Sequence, residues 1–176
     1  MTFQQNIARL VSGEIGLRSM PDIALQALEQ GLDTPSLRIL AGLPDNENEF
    51  VIDRYFKDTL RELSIELPDK RQAAIEVGLA IAEEIFEGKR NVFEGIKDIK
   101  GQAIDAYPFY EETKHYCYDS ISFEKVYGLL DTLDDLRDAG STQWQMDKTN
   151  QELEQELTKD LLTELKQWSL LMKNGS

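Results

Sequence analysis

His115 and Cys117 stand two residues apart between Tyr116 and Tyr118, and they are the only histidine and the only cysteine among 176 residues. A thiol beside an imidazole is the raw material of nucleophilic catalysis. Catalytic pairs of this kind, however, usually meet in space from distant positions and need a third group to orient the ring. The ordinary reading is a small buried thiol next to a hydrogen-bonded or surface histidine, and no catalytic residue is assigned. The same scarcity argues against an intramolecular structural zinc, which takes about four nitrogen or sulfur ligands. It also excludes a di-iron carboxylate bundle, which needs two Glu-x-x-His pairs. The run Asp45-Asn46-Glu47-Asn48-Glu49 opens like a calcium loop, but Phe50 stands where glycine must turn the chain and Phe56 where a bidentate glutamate belongs.

Carboxylates are the remaining chemical resource. Glu83, Glu84 and Glu87 form one group and Asp131, Asp134, Asp135 and Asp138 another, with spacings of three and four that put the oxygens on one face of a helix. Two helices presenting Glu84, Glu87, Asp131 and Asp134 toward each other would hold magnesium and a substrate phosphate. The first group resembles the Glu-x-x-Glu element of the all-helical nucleotide pyrophosphatases. The Glu-x-x-Asp expected after it is absent at short range, and only Asp131-x-x-Asp134 could substitute. In a chain with 33 acidic residues such spacings arise on any solvated helix face. The leading expectation is therefore no metal and no cofactor, with the magnesium-dependent phosphohydrolase as the alternative.

Tyr107, Phe109, Tyr110, Tyr116 and Tyr118 are interleaved with Glu111, Glu112 and Asp119. Ring area mixed with negative charge suits the gripping of a basic protein surface. The competing reading has these rings covering the core beneath an irregular segment. The candidate partner-binding set is Tyr107, Phe109, Tyr110, Glu111, Glu112, Tyr116 and Tyr118.

The elements that must position these residues all read as helices. Ser19, Pro21 and Gly31 bracket one; Asp33 or Thr34 caps the next, with Pro35 in its first turn and Gly42 at its end. From Asn48 to Leu63, the positions Phe50, Val51, Tyr55, Phe56, Leu60 and Leu63 follow the helical period. Asp69 to Glu87 is expected to be the central helix, burying Ile75, Leu79, Ala82 and Phe86, with Gly88 as a left-handed terminator. Asn91 opens a segment through Ile104 that Gly95 and Gly101 weaken by about 1 kcal/mol each. Tyr107 to Tyr118 reads as a loop with a short turn after Pro108, and Ser120 or Ser122 opens a helix that runs to Gly140. Residues 141–150 read as a polar linker. Leu153, Leu157, Leu161, Leu165 and Trp168 then line a long final helix, whose stripe must be buried against its own bundle or a second copy. The expectation is an all-α single-domain bundle of about seven helices: a core domain at 1–140, the linker, and a C-terminal helix at 151–176.

Composition bounds the function. A net charge of −14 repels phosphates and anionic lipid and favours a basic partner. No Gly-x-x-x-x-Gly-Lys-Ser/Thr loop, dinucleotide turn or Gly-x-Ser-x-Gly elbow is present, and the cations are scattered, so nucleic-acid binding is not expected. No apolar stretch is long enough to span a membrane, no export leader is evident, and the single thiol suits a reducing compartment, which makes the cytoplasm the default.

Residues 7–43, with IARLVSGEIG followed by ALQALEQGLDTPSLRILAGL, resemble a type of small, uncharacterised bacterial all-helical protein in which a helix-glycine unit precedes an "LRILAGL"-like helix. Some proteins of this kind are immunity-like, and the resemblance brings no catalytic or binding residue with it. The expected function is a non-enzymatic, acidic protein-interaction domain, most concretely an immunity-like inhibitor of a basic toxin. A homo-oligomeric scaffold is the further alternative.

Overall fold

The structure is a computed structural model that describes residues 1–139 and 148–174. These residues form eight α-helices and no strand: α1 (Phe3–Ser12), α2 (Met20–Glu29), α3 (Pro35–Ala41), α4 (Glu49–Glu62), α5 (Lys70–Phe86), α6 (Val92–Asp98), α7 (Glu124–Ala139) and α8 (Asn150–Asn174). The chain is all-α, as its hydrophobic period requires. It divides into two compact units, Met1–Val77 and Gly78–Ser176, with the boundary inside α5. Residues 140–147, which hold Gly140 and most of the expected linker, lie outside the described residues.

Local bonds shape the first unit. Thr2 and Gln5 make a reciprocal capping box at the start of α1. Thr34, not Asp33, caps α3, its hydroxyl accepting from Leu37 N at 3.2 Å, while Asp33 pairs with Arg38. Asn48 caps α4 by accepting from Phe50 N at 2.9 Å. Ser19 makes no capping bond with its side chain. At the end of α3's partner helix, the Glu62 carboxylate accepts from Ser36 N and Ser36 Oγ at 3.0 and 2.7 Å, which clamps α4 to the first turn of α3. Phe3, Ile7, Met20, Ile23, Leu37, Leu40, Ile52, Phe56 and Leu60 form the core of this unit. Phe50 departs from the expected apolar face. It sits in the first turn of α4 and is 85% exposed, while Ile52 takes the inward position.

Along α5, Ala73, Ala74, Ile75, Val77, Ala80, Ile81, Ala82 and Ile85 are buried. Of the four residues expected to be buried, Ile75 and Ala82 are, whereas Leu79 is only half-buried and Phe86 is exposed. Gly88 ends the helix at φ +71°, with Lys89 N donating back to Glu84 O at 2.9 Å.

In the second unit α8 packs on α7 and α6. Leu153, Leu161, Leu165 and Trp168 are buried, so the stripe of the last helix is covered within this unit, with Leu157 half-buried. Thr149 and Glu152 cap α8 reciprocally, and the Thr149 bonds hold the Glu152 carboxyl below its usual range. The segment expected to be helical through Ile104 is α-helical only to Asp98. A π-turn follows at Ile99–Ala103 and a 3-10 turn at Ile104–Ala106. Trp168 ties the last helix to the segment ahead of α7. Its indole N–H donates to Ile121 O at 3.0 Å, and its ring meets Phe123 edge-on at 5.2 Å between centroids. Gly78 leaves room for the ring: a Cβ there would lie 2.9 Å from its tip.

Candidate functional site

The segment from Tyr107 to Phe123 carries the aromatic and acidic side chains, and Asp119 organises it. Its carboxylate accepts from three consecutive backbone amides, those of Lys114 (3.0 Å), His115 (2.8 Å) and Tyr116 (3.2 Å). Hydrogen bonds to the ionised form hold Asp119 below the usual carboxylate range, the His115 and Lys114 amides contributing most. Two 3-10 turns flank this clamp, Phe109–Glu112 and Asp119–Ile121. The loop therefore has more internal order than its aperiodic sequence implies, and α7 starts later than expected, at Glu124. Tyr118 and Ser122 adopt left-handed φ values of 65° and 54°, and Phe123 N closes the bend on Tyr118 O at 3.1 Å.

This clamp sorts the aromatic side chains into two sets. Phe109 is fully buried and lies 4.7 Å from the half-buried Tyr107 ring. Tyr118 is half-buried and packs edge-on against Tyr127 at 5.1 Å, and burial pushes its phenol pKa up. These three serve the interior. Tyr110 and Tyr116 are 63% and 70% exposed, and the Tyr110 hydroxyl donates to the exposed Glu111 carboxylate at 3.2 Å. Glu112 is half-buried in the same turn. Of the seven candidate residues, Tyr110, Glu111 and Tyr116 are thus the exposed ones.

Cys117 and His115 are exposed on this loop, in contrast to the buried thiol expected from cysteine's usual preference. Asp119 occupies its oxygens with backbone amides, the backbone N of His115 among them.

Cations meet the carboxylates of the alternative magnesium site. On α5 the Glu84 carboxylate accepts from Arg90 at 2.6 Å, and Glu87 pairs with Lys89 at 2.6 Å. Arg90 also binds Asp98, and although desolvation opposes it, the bonds to Glu84 and Asp98 raise its pKa. Asp134 faces Lys97 of α6 at 3.5 Å. Among the described residues, no group of three or more histidine, cysteine, aspartate or glutamate side chains could hold a metal ion. A cavity of about 260 Å³ lies beside the π-turn, lined by Lys97, Lys100, Asp105, Tyr127, Asp131 and Asp134. Lys100 bonds Asp105 there at 2.9 Å. Sequence reasoning missed this cavity, because a π-turn leaves no pattern distinct from an α-helix weakened by glycine.

No helix among the described residues is long and apolar enough to cross a membrane. Comparison of the chain with models of known protein families, with curated proteins and with solved structures found no match.

Proposed function

We propose that this chain is a non-enzymatic interaction domain whose Tyr110–Glu111–Tyr116 surface docks on a basic protein, with an immunity-like inhibitor of a basic toxin as its most concrete form. One observation carries the reading: two large rings, Tyr110 and Tyr116, stand more than half exposed on the Tyr107–Phe123 segment, whose Lys114–Tyr116 amides Asp119 ties down. Ordering such a loop in advance lowers the entropy lost on binding, and tyrosine supplies contact area with few rotatable bonds. The chain's −14 charge would steer a cationic partner toward it. The resemblance of residues 7–43 to small bacterial all-helical proteins, some of them immunity-like, points the same way, and the lone thiol fits a cytoplasmic setting.

The test is calorimetry and stopped-flow association against a set of basic toxin domains. At least one domain should bind, association should slow as salt rises, and the Tyr110→Ala/Tyr116→Ala pair should weaken binding by about tenfold or more. Binding by none of the domains, or binding indifferent to both tyrosines, removes the proposal. The magnesium-dependent phosphohydrolase is the competing reading. Micromolar magnesium or manganese binding that Glu84→Gln or Asp134→Asn abolishes would put it first.

A further inference from the structure

The cavity of about 260 Å³ beside the π-turn has no part in the partner reading. Lys97 of α6, Lys100 and Gly101 of the π-turn and Asp105 of the 3-10 turn line it together with one face of α7, which carries Tyr127, Leu130, Asp131 and Asp134. Single π-turns recur at functional sites. Here the turn leaves its side of the cavity open, because a Cβ on Gly101 would meet nothing within 4 Å.

The charges around this space are matched except for one. Asp105 accepts from Lys100 Nζ with both oxygens, at 2.9 and 3.2 Å, and Asp134 meets Lys97 at 3.5 Å. Asp131, exposed at the cavity, makes no hydrogen bond or ion pair with a described residue. The Tyr127 hydroxyl, one turn earlier on the same face, makes none either. Behind them Leu130 is buried and the Tyr127 ring half-buried. An anion would find no free cation here, only a third carboxylate without a partner. A divalent metal would face two ammonium groups and would lack the oxygen ligands it requires. One positive charge on an apolar stem balances the set.

We propose that the cavity binds a primary alkylammonium group. The ammonium donates to Asp131 and to the Tyr127 hydroxyl, and its hydrocarbon lies along Leu130 and the Tyr127 ring. Pockets for drug-sized ligands start at about 300 Å³, so the group is smaller than these.

Amide NMR of the full chain, titrated with butylamine hydrochloride against matched sodium chloride, tests this. The amides of Gly101 and Asp131 should shift and saturate. Asp131→Asn, at an exposed position without a partner in the fold, should weaken binding by about tenfold or more with the helical circular dichroism unchanged. Gly101→Leu, which puts a side chain into the open space, should abolish it. Lys97→Gln removes a neighbouring cation and frees Asp134, so it should tighten binding by about threefold, a gain that damage to the fold would not give. N-acetyl-lysine amide presents the same group as a protein side chain would. Saturation by either compound supports the site, and the tighter of the two identifies the source. The proposal is overturned by an absence of saturable shifts with both compounds, by normal binding in Asp131→Asn, or by weaker binding in Lys97→Gln. Saturation of the same amides by inorganic phosphate or magnesium chloride in place of the amine would also overturn it. It stands apart from the partner reading, since Tyr110→Ala/Tyr116→Ala should bind butylamine like wild type.

Discussion

Thr2, Thr34 and Asn48 each fix a helix start in the first unit by accepting from an amide two or three residues ahead. In the second unit the segment Lys114–Phe123 is shaped differently. Its bends answer to Trp168, whose indole bonds Ile121 across 47 positions, and to Asp119, which gathers three amides into one carboxylate. The first kind of order is local and rebuilt wherever the same few residues occur. The Trp168 bond is tertiary, whereas the Asp119 clamp reaches only three to five residues back and shapes a segment that follows no helical period.

Removing the distant anchor should therefore have the largest effect. Trp168→Ala leaves a cavity beneath Ile121 and Phe123 and should cost about 3–5 kcal/mol in chemical denaturation. A loss below about 1 kcal/mol would mean that the bends are locally encoded after all.

Close packing offers a sharper contrast between two glycines of the same unit. A Cβ at Gly95 in α6 would lie 2.6 Å from the Ile85 side chain, whereas one at Gly101 in the π-turn meets nothing within 4 Å. Gly95→Ala should destabilise by about 1–3 kcal/mol through overpacking, although alanine favours the helix. Gly101→Ala should be neutral or stabilising by up to about 1 kcal/mol. Equal effects at the two sites, measured by thermal denaturation, would contradict the packing of α5 on α6.

A local cap should matter less than either buried group. Thr34→Ala removes the bond to Leu37 N and should cost about 1 kcal/mol, recovered in large part by Thr34→Ser. Indifference to Thr34→Ala would show that the clamp of Glu62 on Ser36 suffices to start α3.

What was legible in the sequence follows the same division. Capping residues and terminal glycines are visible as residue types at fixed offsets, which is why Thr34, Asn48, Asn91 and Gly88 mark boundaries in the places expected. The long stripe of α8 was equally plain, but whether it faced its own unit or another copy was not, because periodicity names a buried face without naming its cover. Phe86 shows the converse limit. It holds an inward position by spacing yet is exposed at the last residue of α5, where periodicity does not say whether anything packs against the helix end. The aromatic set was identified by composition alone. Its sorting into interior Phe109 and outward Tyr110 and Tyr116 depends on the Asp119 clamp, and an aspartate bonding backward to amides three to five residues before it leaves no periodic trace.

That clamp supplies the smallest and most local prediction. Asp119 has a carboxyl pKa lowered by the amides of His115, Lys114 and Tyr116, so its contribution to loop order is complete above the ordinary carboxylate range, about 3.9 for an unperturbed aspartate. As pH falls through the lower folded value the carboxylate takes up a proton, the three bonds weaken, and the loop should loosen without unfolding the helices. Amide-exchange protection at His115 and Tyr116, followed by NMR, should hold steady from neutral pH down to that range and decline only below it. Asp119→Asn, which lacks the charge, should show reduced protection at every pH and no transition. Loss of protection beginning well above the carboxylate range would take the clamp away from Asp119. Tyr116 would then rest on a segment without that anchor, and the entropic argument for its docking role would fall with it.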